Sequence, residues 1–291
     1  PAVRGSAPTL TSLVSGIQYW TVPITGTYRI RAMGASISRY ASGLGAVATG
    51  DIFLTRGDVL KIAVGQSGTY YDYYGVGGSG GSFVARADNT PLVVGGGAGT
   101  RWGDGNGGYA AVTQHANAPI TTSTLSTGSY IGATVTSAGT SLAYNTNGTI
   151  GSNVTGAGST IAYMGAGGFN TDGSSNPNSA FINGALGGNT GIGNGGFGGG
   201  AASTTTWGYG GGGGWAGGAS HYSAAATANT YYGGGGASFV AQGASNVAVT
   251  QQPTYGEGQV QVALITPVVS APQLVTAPVE TSTSLTFGGI F

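Results

Sequence analysis

The sequence predicts an all-β protein: an antiparallel β-sandwich interrupted by a long glycine-rich insertion, with essentially no α-helix. Three observations carry this. Short segments such as "TYRIRA" and "GQVQVALI" alternate apolar and polar residues with period two, the pattern of half-buried strands. No segment keeps a helical period. Glycine supplies 61 of 291 residues, concentrated in runs between the early strands and the last one, and glycine in a helix interior is strongly disfavoured.

Taken in order, residues 1–18 are polar and read as an irregular N-terminal arm. In "TYRIRA", Tyr28, Ile30 and Ala32 share one face and Arg29 and Arg31 the other. In "VLKIAV", Leu60, Ile62 and Val64 point inward and Lys61 outward, while "GDIFL", "GSFVAR" and "PLVVG" supply further strands. Near the far end, Val260, Val262 and Leu264 alternate with Gln259, Gln261 and Ala263. This late strand needs partners, and the only comparable material lies in 19–97. The expected sandwich is therefore 19–97 plus 236–265, with 98–235 inserted between its strands. An internal echo marks both crossings: "GGSGGSFVA" (77–85) and "GGGGASFVA" (233–241) each pass from a glycine run into the same strand start. Inside the insertion, Ser/Thr-rich 110–165 forms either further strands or an exposed insert, and Asn147 and Asn153 begin glycosylation-type triplets.

The stretch "GYGGGGGWAGG" (208–218) has the composition of a flexible linker, yet it carries Tyr209 and Trp215. Disordered chains are poor in aromatics and rich in charge; this chain has 16 tyrosines and only 5% charged residues. An ordered alternative exists. A polyproline-II-like chain has three residues per turn and no internal hydrogen bonds. Made of glycine, it directs N–H and C=O groups outward and has no Cβ to hold neighbours apart. Such chains pack as a polyglycine II bundle in which every backbone group finds a partner. Phe169, Phe197, Tyr209, Trp215, Tyr231 and Tyr232 are then expected at its margins, joining it to the sheet.

After Ile265, Pro267, Pro272 and Pro278 mark 266–291 as an extended C-terminal tail ending in the apolar residues Leu285, Phe287, Ile290 and Phe291. Such an end is poorly suited to water, and it is expected to pack on another subunit as an assembly tail.

Charge and composition narrow the function. Formal net charge is zero, which gives no basis for binding nucleic acid or an anionic membrane. All eight basic residues lie between Arg4 and Arg101. There is no cysteine, hence no disulfide or thiolate metal site, and no stretch nears the ~20 apolar residues of a membrane-spanning helix. The start Pro1-Ala2-Val3 fits removal of an initiator methionine, pointing to a protein finished inside a cell and carried out by a route such as virion assembly.

"VPITGTYRIRAMGA", "GDVLKIAVGQSG", "GGSFVA" and "PLVVGGGAG", followed by "GGFGGG", "GGGGGWAGG" and "GEGQVQV", resemble the glycine-rich domain of the anaplastic lymphoma kinase and leukocyte tyrosine kinase receptors, which has bacterial and viral relatives. The resemblance spans roughly Ile17–Ile265. It implies a tumour-necrosis-factor-like sandwich with polyglycine II helices inserted between strands. Phage tail-tip adhesins with polyglycine II bundles are similar in composition only. The chain departs from the receptors in lacking cysteines, a kinase and a membrane span, and in its insert at 110–165, so cytokine binding is not carried over.

Residues with chemistry are few. His115 and His221 are the only histidines and no acids stand at metal-ligand spacing from them; surface or bundle-margin positions are expected. No Gly-Lys-Ser/Thr follows any glycine run, so a phosphate loop is rejected. Arg56-Gly57-Asp58 is an integrin-type tripeptide that also reads as the turn between two strands. In "GTYYDYYG", Tyr70, Tyr71, Tyr73 and Tyr74 surround Asp72; such a cluster suits either a receptor contact or a contact with a neighbouring subunit. No catalytic residue, cofactor or metal is expected. The expected protein is a non-enzymatic surface component of a virion, a capsid-surface protein or attachment fibre that assembles with copies of itself or other subunits and meets a host receptor or glycan. A bacterial surface adhesin or filament component is the alternative.

Overall fold

The computed structural model describes residues 10–37, 43–71, 75–100, 165–173, 178–203, 208–218, 221–222, 233–267 and 284–288. Among them the chain is all-β, apart from a single 3₁₀ turn at Phe181–Asn183. In chain order the strands are β1 (Leu10–Val14), β2 (Ile17–Thr21), β3 (Gly26–Met33), β4 (Ala46–Leu54), β5 (Val59–Ala63), β6 (Tyr70–Tyr71), β7 (Gly75–Val76), β8 (Ser82–Arg86) and β9 (Pro91–Gly95). Beyond the described gap come β10 (Gly208–Tyr209), β11 (His221–Tyr222), β12 (Phe239–Val240), β13 (Ser245–Gln251), β14 (Gln259–Pro267) and β15 (Ser284–Gly288).

Two sheets face each other. The first runs β1-β2-β5-β8-β9-β12 and the second β13-β4-β3-β14-β15, all neighbours antiparallel. The second sheet behaves as its period-two pattern predicts: Tyr28, Ile30 and Ala32 are buried while Arg29 is exposed, and Val260, Val262 and Leu264 are buried between half-exposed glutamines. These meet Trp20, Leu60, Ile62, Val84, Val93 and Val240 of the first sheet in one core, each large side chain contributing roughly 1.5–3 kcal/mol through burial.

The first sheet is covered on both faces. Ile62, Val84, Val93 and Val240 turn to the second sheet, whereas their neighbours Ala63, Phe83, Val94 and Phe239 turn to an aromatic layer brought by the glycine-rich region. Phe83 stacks on Phe181 at 5.1 Å, Phe181 on Phe169 at 5.0 Å, and Trp215 on Phe239 at 4.1 Å between ring centroids. Double burial is why "SFVA" reads as a continuous run without alternation. Of the aromatics expected to join the glycine runs to the sheet, Phe169, Phe197 and Trp215 pack against this face of the first sheet and Tyr209 is buried; Tyr231 and Tyr232 lie outside the described residues.

The internal echo has a structural counterpart. β8 and β12 flank β9 with the same register: Phe83 and Phe239 both oppose Val94, and Val84 and Val240 both oppose Val93. The serine before each phenylalanine does the same work, Ser82 Oγ accepting from Gly65 N–H at 2.9 Å and Ser238 Oγ from Gly96 N–H at 3.1 Å.

In the glycine runs the backbone hydrogen bonds follow a three-residue rotation. Gly77 and Gly80 donate to Thr69 and Gln66, Gly78 and Gly81 to Ala201 and Gly198, and Ser79 to Ala98. Three neighbouring segments are thus addressed in turn, and in the two that are met twice the partner number falls by three as the donor rises by three, so both run antiparallel to 77–81. Along 210–215, Gly210 and Gly213 donate to Val76 and Ser79, and Gly212 and Trp215 to Gly234 and Ala237. Those partner numbers rise together, so these neighbours are parallel. A β-ladder alternates between two sides instead. A Cβ built on Gly80, Gly196 or Gly212 would fall well under 3.0 Å from the carbonyl oxygen of Phe197, Gln66 or Gly97. Close approach of backbones, rather than a turn, dictates glycine here.

Two expectations at the ends need correction. Residues 1–18 are not wholly an irregular arm, because Leu10–Val14 pairs with β2 through a two-residue turn at Ser15 (φ 49°) and Gly16 (φ 84°), the left-handed pair that closes tight hairpins. The tail from 266 does not run clear of the domain either: Thr266 and Pro267 continue β14, and Ser284–Gly288 returns as β15 on its free edge.

Candidate functional site

The C-terminal edge of the second sheet is the first candidate. β15 lies antiparallel to β14 with Leu285 opposite Val262, Phe287 opposite Val260 and Thr286 opposite Gln261. Val260 and Val262 are core residues, so β15 extends the sheet at the row that closes the sandwich. Gln18 of β2, itself buried, donates from Nε2 to Gly288 O at 3.4 Å, tying the strand to the opposite sheet. Of the four expected tail residues, Leu285 and Phe287 are therefore placed on a strand of this chain. Ile290 and Phe291 lie outside the described residues.

The tyrosines form a second candidate. Tyr70 and Tyr71 make up β6, paired antiparallel with β7, at the edge of a small sheet ordered β11-β10-β7-β6. Tyr70, Val76, Tyr209 and His221 occupy one row across it. Tyr209 is buried and Tyr70 is half exposed, so the row runs from the interior to the surface. Tyr73, Tyr74 and His115 lie outside the described residues.

Arg56-Gly57-Asp58 forms the turn between β4 and β5, Gly57 having φ 93°. Its carboxylate is engaged: Thr55 N–H donates to Asp58 Oδ2 at 3.0 Å and Arg86 pairs with the same oxygen. Burial pushes this carboxyl up, but those two partners outweigh it and hold it below the usual range. The turn reading accounts for all three residues.

A shallow cleft of about 370 Å³ on the outer face of the second sheet was not legible in the sequence. The loop between β13 and β14 closes over Arg31, presenting exposed Tyr255 and Glu257, with Glu257 Oε2 accepting from Ser67 N–H at 2.7 Å. "QQPTYGEG" signals a turn, but only the pairing of β14 with β3 brings it beside Arg31. Next to it, Arg29 donates through Nε and Nη2 to Asp51, 2.8 Å each, and Asn246 Nδ2 donates to Asp51 Oδ2 at 2.6 Å. The hydrogen bond from Arg29 is the main reason the Asp51 carboxyl sits below its ordinary value, against the opposing effect of burial.

Among the described residues no three His, Asp or Glu side chains come together as a metal site, and no helix is long and apolar enough to cross a membrane. No known protein-family model matches the chain, and no curated protein matches it significantly.

Proposed function

We propose that this chain is a non-enzymatic, rigid building block of a surface assembly: a virion component, either a capsid-surface protein or an attachment fibre, that joins its neighbours through its terminal segments. The observation carrying the reading is the three-residue hydrogen-bond rotation through 77–81 and 210–215, which supports polyglycine II packing of the insertion. That packing needs three chain neighbours at once, and each residue fixed in it costs about 1–2 kcal/mol of backbone entropy. The return is stiffness, which suits a spike or fibre. The arrangement of two facing antiparallel sheets with this insertion also supports the resemblance to the receptor glycine-rich domains, and hence a tumour-necrosis-factor-like sandwich from 19–97 and 236–265.

Exposed Tyr70 beside the glycine region is the proposed contact for a receptor, a glycan or a neighbouring subunit. The test is immunogold labelling of the producing culture with antibody to the purified protein. Label on particle exteriors, lost when residues 280–291 are deleted from an otherwise folded protein, is the expected result. Label on the surface of cells that produce no particles would favour the bacterial adhesin, and hydrolysis of a glycan by the purified chain would overturn both.

A further inference from the structure

We infer that β15 is exchanged between copies of this chain, Ser284–Gly288 of one molecule completing the β14 edge of the next; this rests on the assembly role proposed above. The two terminal strands differ in how they are held. β1 is joined to β2 by Ser15 and Gly16 alone, a turn that leaves it no choice of partner. β15 is joined to β14 by residues 268–283, which include Pro272 and Pro278, where two to five residues suffice for adjacent antiparallel strands.

A connection of that length reaches about 50 Å when extended, far beyond the ~5 Å spacing of neighbouring strands. The length has no use in closing a hairpin and a clear one in reaching another molecule. The site it reaches is already defined. β14 bonds on one side to β3 across its whole length and offers Gln259–Ala263 on the other, in register with Gly288–Ser284. Val260 and Val262 are core residues of β14, and the strand brings Phe287 and Leu285 opposite them. A second copy supplies the identical sequence in the identical register, so exchange conserves every contact and changes only which chain makes it. Reciprocal exchange closes a dimer; one-way exchange propagates a row of subunits.

The absence of cysteine permits a direct test. Two variants of the full chain, Gln261→Cys with a mass tag and Thr286→Cys without one, are co-expressed and oxidised, since these positions stand opposite each other. The native mass of the assembly is measured alongside. The expected result is a disulfide-linked heterodimer in severalfold excess over like pairs, and covalent oligomers from the double variant. If the chain assembles but the double variant only closes on itself as a monomer, exchange is overturned and the assembly role stands. If the chain is monomeric at every concentration, both fail.

Discussion

Gly212 sits where the carbonyl of Gly97 leaves no room for a side chain, while its N–H donates to Gly234 O at 2.8 Å. Gly212→Val should therefore cost several kcal/mol, as overpacking with forced backbone shifts does. A Cβ added at Gly256 would meet nothing within 4 Å among the described residues, and Gly256→Ala should stay within about 0.5 kcal/mol of the parent. Urea melts of the two variants check this, and equal stability would show that 210–214 is slack chain. Asp51 gives a second residue-scale test. Its carboxyl is held below the ordinary 3.8 by Arg29, so the stability it contributes is present above that value and lost as pH falls through the lowered one. Arg29 is half exposed, which limits the pair to about 1 kcal/mol. Asp51→Asn should be less stable than the parent by that amount at neutral pH, and the gap should close as pH drops below 3.8. A gap that persists unchanged in acid would remove the ion pair as its cause.

At the scale of elements, the aromatic layer is what fastens the glycine runs to the first sheet. Trp215 stacks on Phe239 and lies 5.3 Å from Phe169, and its indole N–H meets no acceptor among the described residues. Trp215→Ala should cost about 3–5 kcal/mol, and Trp215→Phe should recover most of it, since the stack matters and the N–H does not. Thermal melts that rank the two variants equal would contradict this. The strands most legible in the sequence were β3, β5 and β14, each with a clean alternation of apolar and polar residues over most of its length. β8 and β12 were legible through their shared "SFVA" rather than through period. β1 and β13 were not. β13 is an edge strand that alternates only between exposed and half-buried positions, with Val247 and Val249 on its inner side, and it carries a register shift between Ser245 and Ala248, so its apolar face is too short to stand out. β15 could not be assigned to β14 because nothing local encodes a pairing across residues 268–283. The cleft at Arg31 was hidden for the same reason: its two sides are far apart in sequence and meet only through the register of β14 on β3.

For the molecule as a whole, three layers stack: the second sheet, the first sheet and the glycine-rich region with its aromatic lining. Few charges contribute, two ion pairs being found among the described residues, Arg29–Asp51 and Arg86–Asp58. Cohesion rests on burial and on backbone hydrogen bonds, many of them donated by glycines. The central claim is that those glycines are as firmly held as a β-sheet. Hydrogen exchange followed by mass spectrometry tests it most directly, since Gly78, Gly80, Gly81, Gly97, Gly212, Gly213 and Gly236 all donate to backbone carbonyls. Peptides covering 77–81 and 210–218 should be protected to the degree of β3 and β4, opening only with the whole domain. Exchange of those amides at the rate of an unstructured glycine linker, while β3 and β4 stay protected, would contradict it.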